Sequence, residues 1–398
     1  MKLIKFIGVF LAVILILGLI IYIPNQSAFK TIFSNSKDLE EGSNLVQRST
    51  TDKGLINYMK AYPGNVGLVS FSTGKSDSSI YYQAGKKRVM GSTSNLLLII
   101  EYARRVDNRS LNPDEPVRLS EINKYNIPKY YSANHKEAVT DLKNNHQISK
   151  NGTIPLHDVI GMLVQSNDFA ASDYLYFKLS PDSIRNLPNI LHTKNIEFPV
   201  PWSGQVISWK ASLYHQTNQQ RLHTLKNMSK EKYDQLALNN SKKLNDDKAF
   251  RDKVTKAFQS NGLGSAFSYE KKLYQLSPKA TPRAMANLLQ QINNGSLINA
   301  HVSLIIKKAL QWSFDAQSLK KQIVYYGGLF DSRMGILNGI DMGKLVNTKS
   351  TRIQVVYLND VPVSLWMHLS SNFTNQTMQR EMIWKPSFYH YVYNKLAH

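Results

Sequence analysis

The chain has 398 residues, 42% of them apolar and 10% aromatic, which is enough for one large domain or two ordinary ones and excludes a mainly disordered chain. Forty-nine Lys and Arg against 28 Asp and Glu leave a formal net charge of +21, a field that attracts polyanions. The absence of cysteine excludes disulfides, thiolate metal sites, iron–sulfur clusters, a cysteine nucleophile and lipid attachment at an N-terminal Cys.

Lys2 and Lys5 precede an uninterrupted apolar run from Phe6 to Ile23. As a helix this run is roughly 27 Å long, enough for the hydrocarbon core of a bilayer. It ends in Tyr22-Ile23-Pro24-Asn25 with no small-residue cleavage site, so residues 1–24 are expected to be an uncleaved signal-anchor. The leading lysines favour an N-terminus inside and a main domain outside, with a single pass. A basic domain in that position is expected to meet anionic lipid or cell-wall polymer, and no nucleic acid.

Residues 25–50 are polar and read as a stalk. Gly54 to Tyr62 suits a short helix. Val66 to Ser72 alternates as a strand, Thr73-Gly74-Lys75 turns, and Ser79 to Gln83 returns as the second half of a hairpin. Ser92 begins a long apolar helix, expected to be capped by a Ser or Thr hydroxyl. Leu156 to Val164 forms another, leading into Gln165-Ser166-Asn167-Asp168. Residues 205–275 are polar and Lys/Asn/Gln-rich, with helices around 229–259, and read as a helical insertion. Thr281-Pro282-Arg283 starts a helix that ends at Asn294-Gly295. Ile353 to Leu358 and Val361 to Leu369 read as two strands, and 375–396 as a closing helix. Strands at both ends with helices between imply an α+β domain over 51–398, its terminal strands paired in one antiparallel sheet.

Five stretches, in order over roughly residues 50–396, resemble the class A serine β-lactamase and penicillin-binding family. Met90-Gly91-Ser92-Thr93-Ser94-Asn95-Leu96-Leu97 is similar to its Ser-x-x-Lys element. Ser110 to Leu119 resembles the segment after that helix, and Leu156 to Ser172 the helix carrying Ser-Asp-Asn. Thr281 to Leu289 is similar to the helix after the Ω-loop, and Leu329 to Gly335 stands where a Lys-Thr-Gly strand is expected. The resemblance implies a bacterial protein with a five-stranded antiparallel sheet flanked by helices, plus a helical subdomain. It also implies acyl-serine chemistry on β-lactam or peptidoglycan-like amides, without a cofactor.

Carried over, Ser92 takes the nucleophile position and Asn95 the lysine position, where an amide has no useful basicity. Ser166 takes the proton-shuttle position. Asn167-Asp168 inverts the family's Asp-Asn, leaving Asp168 as the candidate substitute base. Arg333 keeps the positive charge of the third motif and Gly335 the room for substrate beside the strand, but Met334 replaces the hydroxyl. The Ω-loop Glu-x-x-Leu-Asn has no counterpart; the context of Glu197 does not match. Two readings stay open: a weakly active serine hydrolase, or a pseudoenzyme that binds wall polymer or an envelope protein. The ten histidines show no metal spacing, His157, His192 and His301 reading as surface or cap residues. Trp202 and Trp209 read as core or lid aromatics, with a groove lining as the other possibility.

Overall fold

The computed structural model describes residues 35–259, 262–312 and 321–397. The expected anchor, residues 1–24, and the first part of the expected stalk lie outside them. Among the described residues no helix is long and apolar enough to cross a membrane.

From Asn35 onward the chain is not a stalk. Residues Ser36–Ser49 form helix α1, followed by α2, Asp52–Ala61. The start of α1 is held by acceptors reaching the 267–274 helix: Asn35 Oδ1 receives Phe267 N–H at 2.6 Å and Asp38 Oδ2 receives Ser268 N–H at 3.0 Å. Polar composition concealed a surface helix whose inner residues Leu39, Leu45 and Val46 pack on the domain.

The hairpin is formed by β1 (Val66–Ser72) and β2 (Lys75–Tyr82). Helix α3 spans Asn95–Asp107, α4 Ser132–Asn144, α5 Leu156–Gln165 and α6 Phe169–Lys178. The 205–275 region is helical as expected, including α7 (Trp202–Trp209), α8 (Lys230–Asp246) and α9 (Lys248–Gln259). Helix α10 (Pro282–Asn294) is capped as read: Thr281 Oγ1 accepts from Ala284 N–H at 3.2 Å, and Gly295 closes it at φ 74°. Then come α11 (Ala300–Leu310), β3 (Ile323–Asp331), β4 (Leu337–Leu345) and β5 (Thr351–Leu358).

The segment 361–369, expected as a strand, is instead helix α12, Val363–Ser371. Pro362 cannot donate to a ladder but fits the start of a helix, and Leu365 and Leu369, four apart, are both fully buried. The closing helix is two, α13 (Thr374–Trp384) and α14 (Pro386–Leu396), divided at Lys385-Pro386 because proline lacks the N–H that would continue α13.

The sheet is five-stranded and antiparallel, in the order β2-β1-β5-β4-β3. The α+β order and terminal-strand pairing read from the sequence are therefore present. Alternation along β5 gives two buried faces. Ile353, Val355 and Tyr357 face a core shared with α3, α10 and α11, while Val356 and Leu358 face a second core under α2 and α12–α14. A third apolar cluster joins Trp202, Trp209, Tyr233 and Phe258 to Met334 beyond the end of β3, so the 205–275 helices pack over the region where Ser92 lies.

Candidate active site

Ser92 belongs to a 3₁₀ turn, Gly91–Ser94, that feeds α3. The turn's hydroxyls bond backwards: Thr93 Oγ1 donates to Met90 O at 2.7 Å and Ser94 Oγ to Gly91 O at 2.8 Å. The expected Ser/Thr cap on α3 is thus absent. A carboxylate from the sheet takes its place, with Ser92 N–H donating to Asp331 Oδ2 at 2.6 Å. Gly91, at φ 58°, lets the chain pass over Asp331; a Cβ built there would overlap Oδ2.

Asp331 also holds Arg333. Its Oδ1 accepts Arg333 N–H at 3.2 Å and its Oδ2 accepts Nη1 at 2.8 Å. The same Nη1 donates to Ser92 Oγ, and Nη2 donates to the carbonyl of Asn167 at 3.3 Å. The guanidinium lies 3.4 Å from the ring centre of Phe169, 4.9 Å from Trp202 and 5.6 Å from Tyr131. Ser92, Asp331 and Arg333 are exposed by 1%, 1% and 2%, so no solvent-filled cleft reaches the hydroxyl. The cavity beside this cage, lined by Tyr131, His135, Asp168 and Trp202, is about 10 Å³, room for one water.

Asn95, at the lysine position, is buried and accepts a hydrogen bond from Ser172 Oγ at 2.8 Å, tying α3 to α6. Ser166 ends α5, and its carbonyl accepts from Asn134 Nδ2 at 2.8 Å. It lines a separate depression with Asp158 and Gln165, and among the described hydrogen bonds none joins it to Ser92. Asp168 caps α6, its Oδ1 accepting from Ala170 N–H at 2.8 Å and Ala171 N–H at 3.4 Å. Its Oδ2 meets His135 Nδ1 at 2.7 Å, and His135 Nε2 meets Asn123 Oδ1 at 2.6 Å. Both carboxylate oxygens are committed, neither of them to Ser92. Gly335 lies at φ 72° in the β3–β4 connection, and the space its missing side chain leaves is taken by the methylenes of Lys271.

The arrangement brings Ser92 and Arg333 together, and leaves Asn95, Ser166, Asp168 and Gly335 in packing or capping roles. Three participants went unread in the sequence: Asp331, which caps the Ser92 turn; Phe169, which stacks on the guanidinium; and His135, which pairs with Asp168. Asp331 stands two residues before Arg333, a spacing that places both side chains on one side of the chain but names no partner.

Chemically the site's groups are largely taken up by one another, with Arg333 Nε left buried and without a hydrogen-bond partner among the described residues. A serine acylation needs a proton acceptor for Oγ and donors for the oxyanion, usually including the serine's own N–H. Here Oγ faces a cation that only donates, and the N–H is occupied by a carboxylate whose charge would repel an oxyanion. The nearby Tyr131 is pushed up to about 12 by burial, so its hydroxyl stays protonated at neutral pH and supplies no base. Trp202 and Trp209 are core aromatics. Among the described residues no group of three or more His, Asp or Glu could hold a metal ion.

Solved structures similar to this chain include β-lactamases. One from Chitinophaga pinensis has TM-score 0.48 and 14% identity, covering 82% of this chain and 98% of that one. One from Sphaerobacter thermophilus has TM-score 0.47 and 11% identity, covering 82% and 95%. A class A β-lactamase from Mycobacterium abscessus has TM-score 0.47 and 10% identity, covering 83% and 98%. No family model and no curated protein matches the sequence.

Proposed function

We propose that this chain is a divergent, β-lactamase-like protein whose serine site is closed by its own side chains, so that it binds in the cell envelope and does not turn over β-lactams. The observation that carries this reading is the contact of Arg333 Nη1 with Ser92 Oγ, made with both residues buried and with Asp331 compensating the charge. Retention of a serine at the head of an apolar helix, opposite a cation beyond β3, supports descent from an acyl-serine hydrolase. Asn95, the inverted Asn167-Asp168 and Met334 support loss of proton transfer. The apolar run from Phe6 to Ile23 supports attachment to a bacterial cytoplasmic membrane, and the net charge of +21 an anionic partner outside it.

The test is incubation of the full chain with a reporter penicillin, followed by intact-mass spectrometry. No mass shift is expected. An adduct that disappears in Ser92→Ala would establish acyl-serine chemistry and overturn the non-catalytic reading.

A further inference from the structure

On the face of the sheet away from Ser92, β5 carries an arginine that has no counter-charge among the described residues. Arg352 pairs across the ladders with Ser72 on β1 and Gly343 on β4; Ile383 fills the space beside Gly343, and the small Ser72 leaves room on the other side. The break between α13 and α14 roofs this space. The result is a pocket of about 320 Å³ whose lining includes Ser72, Thr348, Ser350, Arg352, Tyr389 and His390. A second depression of about 390 Å³ shares Thr348 and Ser350 and adds Lys349. Among the described residues no Asp or Glu lines either one.

The guanidinium of Arg352 rests 3.5 Å from the ring centre of Tyr389, which fixes its plane. Its Nη1 is buried without a hydrogen-bond partner, and among the described residues it makes no ion pair. Burial lowers its pKa from the ordinary arginine value, as expected for a cation that has lost water and gained no anion. A half-buried guanidinium with Tyr389 beside it and no ion-pair partner among the described residues is costly, and its planar fork of donors matches a phosphate or carboxylate. The volume exceeds what a lone anion fills and reaches the lower end of small-ligand pockets. The rest of the lining sets the hydroxyls of Ser72, Thr348 and Ser350 against Leu345, Met382, Ile383 and Pro386, so hydroxyl oxygens and a short carbon skeleton both find partners there.

We propose that this pocket binds a polyol phosphate, with Arg352 on the phosphate and the hydroxyls of Ser72, Thr348 and Ser350 on the polyol. The site lies across the sheet from Ser92 and does not depend on whether that serine is active. The shared ligand chemistry, a glycerol-phosphate type ester, occurs both in anionic polymers and in phospholipid headgroups.

Isothermal titration of the full chain with glycerol 3-phosphate, inorganic phosphate and glycerol tests the site. Glycerol 3-phosphate is expected to bind, phosphate more weakly, and glycerol not at all. Arg352→Gln is expected to weaken binding about 10- to 100-fold, the usual effect of losing a charge-assisted hydrogen-bonding partner. Because Arg352 also stacks on Tyr389, Ser350→Phe serves as the second variant: it fills the pocket while keeping Arg352 and Tyr389, and is expected to abolish binding. Lys60→Gln, an exposed cation at the end of α2, is expected to change nothing. Soluble poly(glycerol phosphate) and phosphatidylglycerol vesicles then separate the two sources, whichever binds in an Arg352-dependent way being the natural one. No binding of glycerol 3-phosphate at about 10 mM, or binding undiminished in Ser350→Phe, overturns the proposal, as does attraction to both polyanions that survives Arg352→Gln.

Discussion

The guanidinium of Arg333 donates to the hydroxyl of Ser92 while Asp331 receives both the Arg333 Nη1 proton and the Ser92 N–H. Three groups that an acyl-transfer site would hold open for substrate are thereby joined to one another. Removing one member of a buried ion pair is far more costly than removing both, because the survivor is left charged and dry. Arg333→Ala is expected to lower unfolding stability by about 3–5 kcal/mol, measured by urea denaturation. Asp331→Leu combined with Arg333→Leu is expected to recover most of that loss. Equal losses in the single and double variants would mean that the pair is not the element holding the turn.

The backbone at Gly91 leads to a second expectation. A side chain there must adopt φ near 58° and also displace the Asp331 carboxylate that caps the Ser92 turn. Both effects act in the same direction, so Gly91→Ala is expected to cost about 2–4 kcal/mol, more than the roughly 1 kcal/mol of a simple left-handed glycine replacement. A loss of 1 kcal/mol or less in the same denaturation assay would show that Asp331 moves aside freely.

What the sequence displayed of this fold follows from how local each signal is. The α10 boundaries were legible because Thr281, Pro282 and Gly295 act within a turn of themselves, and β1 and β5 because their alternation is intact. Strand β4 was not, because Gly339 and Gly343 dilute its pattern; both are glycine where α13 presses on the sheet, with Gln379 and Ile383 occupying the space of their side chains. The misread strand at 361–369 shows the opposite failure, an alternating stretch of Val361, Val363 and Leu365 that Pro362 turns into a helix start. At the site, the motif positions of Ser92 and Arg333 were legible and their closure was not. Asp331 reaches the Ser92 turn from a point 239 residues away, a distance over which no pattern in one sequence reports.

Asn95→Lys writes out the Ser-x-x-Lys element that residues 92–95 resemble, but the position offers a lysine no work. Asn95 is 1% exposed and its carbonyl is used by Ser172, so a lysine there brings an ammonium into a region already holding the Arg333 cation. Burial and the like charge both disfavour its protonated form, depressing its folded-state pKa below the unfolded value. The folded state then binds fewer protons than the unfolded one between those two values, so the variant's stability deficit should shrink as pH rises toward 10. Thermal denaturation between pH 6 and 10, relative to the parent chain, reads this directly, and no penicillin adduct is expected at any pH. A deficit independent of pH would mean that the lysine escapes to solvent.

Asp341 on β4 sets the pH response of the sheet itself. Its side chain is fully buried against α13, where Gln379 Nε2 donates to Oδ1 at 3.3 Å, and burial pushes its pKa up to about 7. The tyrosine hydroxyl of Tyr326, the amide of Gln379 and the charge of Arg380 all favour the carboxylate, but they do not outweigh the lost hydration. A raised folded-state pKa means that the native state holds a proton the unfolded chain has released. Its stabilising contribution is complete below the unfolded value near 4 and is lost as pH rises through about 7. The parent chain should therefore lose stability from this group between pH 5 and 8, by roughly 2–4 kcal/mol if Asp341 acts alone. Asp341→Asn keeps the shape and an acceptor for Gln379 while removing the titration. Urea denaturation of both chains at pH 5 and pH 8 should show them close together at the lower pH and the variant clearly more stable at the higher one. If the two curves stay parallel across that range, the carboxyl is already ionised in the folded protein, and Tyr326, Gln379 and Arg380 solvate it better than burial desolvates it.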